Sequence, residues 1–163
     1  SLRDRCEDYA DRFGVEFHAG EKPWGRVKAD VYMPCATQNE IGLEDAKRMI
    51  EEGTSKLLIE VANMPTKAEA VEELQKAGFM IAPSKAVNAG GVAVSALEMS
   101  QNAMKLSWTE EEVDEKLKKI MKNIFNNIDS AAKKYGMDGN LIAGANIAGF
   151  LKVAEAMLNE GIF

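Results

Sequence analysis

The sequence predicts an α/β fold: a short parallel sheet flanked by helices, followed by a segment that is helical throughout. Three observations predict it. Short apolar runs alternate with helical periodicities up to about residue 89. Those runs lack the strict in–out alternation of half-exposed strands, as strands covered on both faces do. From Gly90 onward only helical spacing is found.

Each element has its own justification. Leu2, Cys6, Tyr9 and Phe13 form an amphipathic helical stripe, and Gly14 stands where a left-handed residue would end it. Val15-Glu16-Phe17-His18 alternates weakly, as a short strand does, before a loop marked by Gly20, Pro23 and Gly25. Ala29–Met33 reads as a strand closed by Pro34. Leu43, Ala46 and Met49/Ile50 predict a helix closed by Gly53, and Lys56–Ala62 a second strand. Thr66 and Glu69 have the T-x-x-E spacing of a capping box ahead of the Ala70/Val71/Leu74 face. Gly78 ends that helix, and Phe79–Ala82 is the third strand. An Ala-rich helix then runs from Gly90-Gly91 through Lys105. Ser107-x-x-Glu110 is a second predicted capping box, and Val113, Leu117, Ile120, Ile124 and Ile128 carry a long helix to about Tyr135, with Gly136 as its stop. The last helix is expected over about 143–159, ended by Gly161.

Composition narrows the function classes. The chain has 163 residues, with 26 Asp+Glu against 20 Lys+Arg, a net charge of −6. This balance argues against a nucleic-acid partner, which requires clustered Lys and Arg. No run approaches the roughly 18–20 uninterrupted apolar residues of a membrane helix, so no membrane partner is expected. Two cysteines, Cys6 and Cys35, are too few for a disulfide scaffold and fit a reducing, cytoplasmic compartment. A single histidine, His18, excludes two-histidine metal motifs, and no metal site is expected. The chain starts at Ser1, enters a helical pattern at once, and is expected to be a piece of a longer protein.

In an open parallel sheet, ligands bind where the strands end and the following helices begin. That rule selects Pro34–Asn39, Asn63-Met64-Pro65 and Pro83–Gly91, three loops rich in small and amide residues. Small residues let a flat ring approach the backbone, and carboxamides offer a donor and an acceptor without charge. Such loops suit a nicotinamide ring and its ribose, although any one asparagine there could simply cap a turn. Neither G-x-G-x-x-G nor G-x-x-x-x-G-K-[ST] occurs. Gly144-Ala145-Asn146-Ile147-Ala148-Gly149 follows no strand and is read as close helix packing. Cys35 is expected to be a small packed residue, His18 a surface residue, and Trp24 and Trp108 anchors of a loop and a helix.

The motifs Lys22-Pro23-Trp24-Gly25, Pro34-Cys35-Ala36-Thr37-Gln38-Asn39-Glu40, Val61-Ala62-Asn63-Met64-Pro65-Thr66, Ala82–Val92 and Gly144–Phe150 together resemble the C-terminal, nucleotide-binding part of the hexameric glutamate dehydrogenases. These belong to the glutamate/leucine/phenylalanine/valine amino-acid dehydrogenases. The resemblance runs from about Arg5 to the end of the chain. It implies a partial Rossmann-like sheet, with residues 1–105 as the second part of an NAD(P)-binding domain and 106–163 as C-terminal helices packed on it. The catalytic N-terminal domain and the first βαβ unit are expected to lie outside the chain.

The resemblance also implies roles. Ala36, Thr37 and Gln38 would line the cofactor, NADP or NAD; Asn63 would meet the nicotinamide ribose, and Asn88 the carboxamide. Ser95 would bind the side-chain carboxylate of glutamate, and Val92 would line the substrate pocket. The reaction implied is the reversible oxidative deamination of L-glutamate to 2-oxoglutarate and ammonia by a homohexamer. The acid–base pair of that chemistry is expected outside this chain, which leaves it without catalytic residues and inactive alone. From the residues by themselves, Ser95 reads as a helix-interior serine bonded back to a carbonyl four residues earlier. Two alternatives stand beside this reading: a dehydrogenase of leucine or phenylalanine type, and a non-enzymatic interaction module.

Overall fold

Residues 5–161 are described by a computed structural model. Their order is α1 (Cys6–Phe13), α2 (Leu43–Glu52), β1 (Leu57–Ile59), α3 (Ala68–Lys76), β2 (Met80–Ala82), α4 (Ser84–Val87), α5 (Ala89–Met104), α6 (Glu110–Lys134) and α7 (Leu141–Glu160). β1 and β2 are parallel, with Leu57, Leu58 and Ile59 opposite Met80, Ile81 and Ala82. The α/β class and the parallel connection follow the sequence reading, but the sheet is smaller than expected.

The strand predicted over Ala29–Met33 contracts to a single parallel bridge between Tyr32 and Leu58. Tyr32 N–H donates to Leu57 O at 3.0 Å, and Ile59 N–H to Tyr32 O at 2.8 Å. On either side the pairing is cut off. The Ser55 hydroxyl donates to Asp30 O at 2.6 Å, and Pro34 has no N–H to give. β1 is likewise shorter than Lys56–Ala62, because the N–H groups of Val61 and Ala62 turn to Pro34 O at 3.2 and 2.9 Å. Val15–His18 forms no strand and is exposed. A weak two-residue alternation with no neighbouring strand to pair cannot satisfy its backbone except with water.

The principal core lies between the sheet and the pair α2 and α3. Ile41, Ala46, Met49, Leu58, Ala70 and Leu74 are all fully buried there, together with Trp24, Tyr32, Phe79 and Ile81. Trp24 thus anchors its loop as expected. Gly25 follows it at φ +70°, pressed on the backbone of Arg48 and Met49 so closely that any side chain would collide. Lys22 completes the fastening, donating to Glu40 O and, at 3.3 Å, to the buried Asp45.

Two predicted caps are displaced. Thr66 pairs through its backbone with Ile41, so α3 starts after Lys67 and the Thr66 hydroxyl is buried with no partner among the described residues. The second box is formed by Thr109 and Glu112 instead of Ser107 and Glu110: Glu112 N–H donates to Thr109 Oγ1 at 3.3 Å, and Thr109 N–H to Glu112 Oε2 at 2.8 Å. Both sites offer a hydroxyl residue three before a glutamate, and the choice depends on where the preceding chain lets the helix begin.

α1 forms where its stripe predicts, and Gly14 caps it. Of that stripe, Leu2 lies outside the described residues, and Cys6, Tyr9 and Phe13 are exposed, with only Ala10 buried. α6 and α7 pack against each other over a second, smaller core of Ile128, Leu141 and Ala145, to which Ala82 and Ala86 contribute. Trp108 is half-buried, with Lys116 Nζ 4.7 Å from its ring centre. Among the described residues, α7 is the one helix long and apolar enough in mean hydropathy to cross a membrane, though Lys152 and Glu155 interrupt it. Its N-terminal part is what packs on α6, through Leu141, Gly144 and Ala145.

Gly144 and Gly149 behave differently. A Cβ on Gly144 would run into Ile128 O, with Ile128 Cγ2 at 3.0 Å and Ala132 Cβ at 3.1 Å, while none of the described residues lies within 4 Å of one on Gly149. Close helix packing therefore accounts for Gly144 alone.

Candidate functional site

The carboxyl ends of the parallel segments open on one cleft. It has a volume of about 1100 Å3 and is lined by the loop after Tyr32, the loop after β1 and the turn from β2 into α4 and α5. The first two loops are stitched together: Asn39 N–H donates to Met64 O at 3.0 Å, and Ile41 N–H to Pro65 O at 2.9 Å. Asn39 and Met64 both hold a left-handed backbone, at φ 57° and 46°. For asparagine this is common; for methionine it stores strain of the kind that collects at binding sites.

Within the cleft, Asn88 Nδ2 donates to Asn63 Oδ1 at 2.5 Å. Asn88 caps the C-terminus of α4, between α4 and α5, and its N–H donates to Ser84 O at 2.9 Å. Asn63 stands between Ala62 and Met64 in the loop after β1. Two carboxamides on different elements are thus brought face to face, twenty-five residues apart in sequence. Each keeps unused capacity, an N–H2 group on Asn63 and a carbonyl on Asn88, to offer a ligand.

The side chains around them are small or apolar: Ala36, Ala62, Ala89, Val61 and Val92. Lys85 is the single charged residue of the lining, and it donates to Asn146 Oδ1 of α7. The lining offers amide donors and acceptors beside small and apolar side chains, with little charge.

Of the residues the sequence singled out, Ala36, Gln38, Asn63, Asn88 and Val92 line the cleft. Thr37 is not among them: it is exposed, and its N–H donates to Glu40 Oε2 at 3.4 Å. Nor does Ser95 line it. Its exposed hydroxyl donates to Gly91 O at 3.2 Å, the back-bond to a carbonyl four residues earlier. It lies one turn beyond Val92, on the same face of α5. Cys35, expected to be packed, is exposed, and its thiol donates to Met33 O at 3.2 Å. His18 is at the surface, 3.5 Å from Glu16.

Met64, Ser84 and Lys85 also line the cleft and lie in the loops that the strand-end rule selects, though without a role of their own there; the residue the sequence reading does not single out is Glu60, which borders Met64, Ser84 and Lys85. Glu60 is 6% exposed, and its Oε2 accepts from Ser84 N–H at 3.1 Å. A charged residue ending an apolar strand was the available signal, because a carboxylate is rarely buried without a task.

A sequence model described as Glutamate/Leucine/Phenylalanine/Valine dehydrogenase matches residues 2–161. The chain is 56% identical over 163 residues to the NAD-specific glutamate dehydrogenase of Clostridium symbiosum, which covers 99% of this chain and 36% of that protein. It is 50% identical over 166 residues to the NADP-specific glutamate dehydrogenase of Haemophilus influenzae, with the same two coverages. A solved glutamate dehydrogenase superposes with a TM-score of 0.92 at 56% identity, over 98% of this chain and 35% of that one. The chain therefore spans about a third of the length of these relatives.

Proposed function

The chain belongs to the glutamate/leucine/phenylalanine/valine dehydrogenase family, and from that premise we propose that it is the C-terminal segment of a glutamate dehydrogenase whose cleft holds the nicotinamide end of NAD or NADP. Residues 1–105 form the second part of the nucleotide-binding domain, and 106–163 the helices packed on it. The parent protein is a cytoplasmic homohexamer that interconverts L-glutamate with 2-oxoglutarate and ammonia.

The observation that carries this reading is the Asn63–Asn88 pair at the mouth of the parallel strands. A nicotinamide bears its own carboxamide beside a ribose, and it needs a donor, an acceptor and a flat wall. The two asparagines supply the first two, and Ala36, Ala62 and Ala89 the wall. When bound, the nicotinamide exchanges a hydride with the substrate carbon. The work of this chain is to position it: Asn63 takes the ribose, Asn88 the carboxamide, Ala36 and Gln38 the near edge, and Val92 the side toward the substrate. Ser95 meets the distal carboxylate of glutamate after turning away from Gly91 O. Proton transfer to and from the substrate nitrogen and carbonyl is assigned to groups outside this chain, so the segment alone binds dinucleotide weakly and turns nothing over.

The test is a titration of the 163-residue chain with NADH and NADPH, following the side-chain amide signals of Asn63 and Asn88 by NMR. Both are expected to shift together on saturation. Shifts confined to other residues, or none, would refute the reading.

A further inference from the structure

We propose that Glu60 is a positioning residue of this cleft: its buried carboxylate sets the turn that carries Asn88 against the loop that carries Asn63, and so fixes the spacing of the two amides. The proposal rests on the cofactor reading above.

Glu60 follows β1 directly, and its own N–H extends the ladder by donating to Ala82 O at 3.1 Å. That pairing delivers its side chain to the end of β2, where Oε2 accepts from the N–H of Ser84, the first residue of α4. This N–H has no partner within its helix. Ser84 passes the constraint on, since its Oγ accepts from Met64 N–H at 3.4 Å. Met64 is the strained residue next to Asn63. One carboxylate thereby ties together β1, the start of α4 and the loop after β1, and the Asn88–Asn63 bond lies across the top of that tie.

The surroundings of Glu60 speak against a purely electrostatic role. Among the described residues no Lys, Arg or His lies within ion-pair distance of it, although it is 6% exposed. A buried carboxylate with no cation beside it is costly to keep, and its neutral amide would fit the same space. What the carboxylate supplies to Ser84 is an acceptor in a fixed place. Glutamine retains that acceptor; alanine does not.

Three variants of the 163-residue chain test this: Glu60→Ala, Glu60→Gln and Ser84→Pro. The last leaves the carboxylate but deletes both the N–H that donates to it and the hydroxyl that accepts from Met64, breaking the tie at its middle link; proline suits the first position of a helix, and Pro83 already has the extended backbone that a following proline requires. Two quantities are read: hydrogen exchange of the Ser84 N–H, and the Kd for NADH from the Asn63 and Asn88 signals. Glu60→Ala is expected to lose Ser84 protection and to raise the Kd by about tenfold or more, while Glu60→Gln stays within about threefold of the unaltered chain on both. Ser84→Pro, whose exchange readout is gone, raises the Kd as Glu60→Ala does, and it decides the matter if Glu60→Ala fails to fold. An unchanged Kd in Glu60→Ala or Ser84→Pro overturns the proposal, as does a loss in Glu60→Gln equal to that in Glu60→Ala. If the unaltered chain shows no NADH-dependent shift at Asn63 and Asn88, the cofactor reading falls first and takes the proposal with it.

Discussion

Substituting alanine for each of the two glycines of the Gly144–Gly149 stretch should change stability in opposite directions. Both are helical positions in α7, where alanine gains about 1 kcal/mol over glycine from backbone entropy alone. At Gly149 none of the described residues lies within 4 Å of the added methyl, so that gain is realised and Gly149→Ala is expected to stabilise by about 0.5–1 kcal/mol. At Gly144 the methyl would overlap Ile128 O, with Ile128 Cγ2 and Ala132 Cβ at 3.0 and 3.1 Å on either side. A carbonyl oxygen in the middle of α6 cannot rotate aside, so the helices must separate along their contact. Overpacking of this kind costs about 1–3 kcal/mol, and a rigid obstacle places it in the upper half of that range. After the propensity gain, Gly144→Ala should destabilise by about 1–2 kcal/mol. At roughly 2–4 °C per kcal/mol for a chain of this size, Tm falls by about 2–8 °C, while that of Gly149→Ala rises by about 1–4 °C. Differential scanning calorimetry on the two variants and the parent chain measures both. A rise in Tm for Gly144→Ala would refute the packing argument, because it would mean that α7 does not rest on Ile128 as described.

Tyr32 links stability to alkaline pH. It is 4% exposed, and burial, aided by the hydrogen bond its hydroxyl donates to Glu52 at 3.1 Å and by the Glu52 charge, pushes its pKa from 10.0 up to about 12. The folded chain favours the neutral phenol. The stabilisation is therefore complete below pH 10 and is lost as pH rises through about 12. Two pH units correspond to about 3 kcal/mol. Urea unfolding of the parent chain and Tyr32→Phe across that window should show their stability difference shrinking by this amount; parallel curves would count against it. For substrate choice, Ser95→Val in the full-length protein should cut kcat/KM for glutamate about tenfold or more, and for norvaline hardly at all. Equal losses would remove Ser95 from carboxylate recognition.

The site was readable to the extent that it rests on connectivity. That parallel strands end in ligand-facing loops is a topological rule, and it points to the loops that carry Asn63 and Asn88. Val92 enters only through the family resemblance; Thr37, which lies in a loop the rule selects, is exposed and is not among the residues lining the cleft. The back-bond of Ser95 was anticipated from its helical setting. Glu60 is not singled out, and Ser84 and Met64 carry no role within their selected loops, because their significance is relational: a backbone N–H left over at one helix start, an acceptor twenty-four residues away, and a strained φ between them.

What the sequence alone determined are the properties that depend on near neighbours along the chain. The apolar period of α6 and the glycine after α1 are of this kind, and so is the order of strands and helices, because each follows from contacts within a few residues. The tertiary structure decided whatever depends on residues far apart. Ser55 and Pro34 cut a predicted five-residue strand to one bridge, the pairing of Ile41 with Thr66 moved a helix start, and Ile128 gave Gly144 a role that Gly149 lacks. Local propensities differ by about 1 kcal/mol or less per residue, whereas a collision in a packed interface or a buried unpaired group costs more, so where the two compete the distant contact prevails.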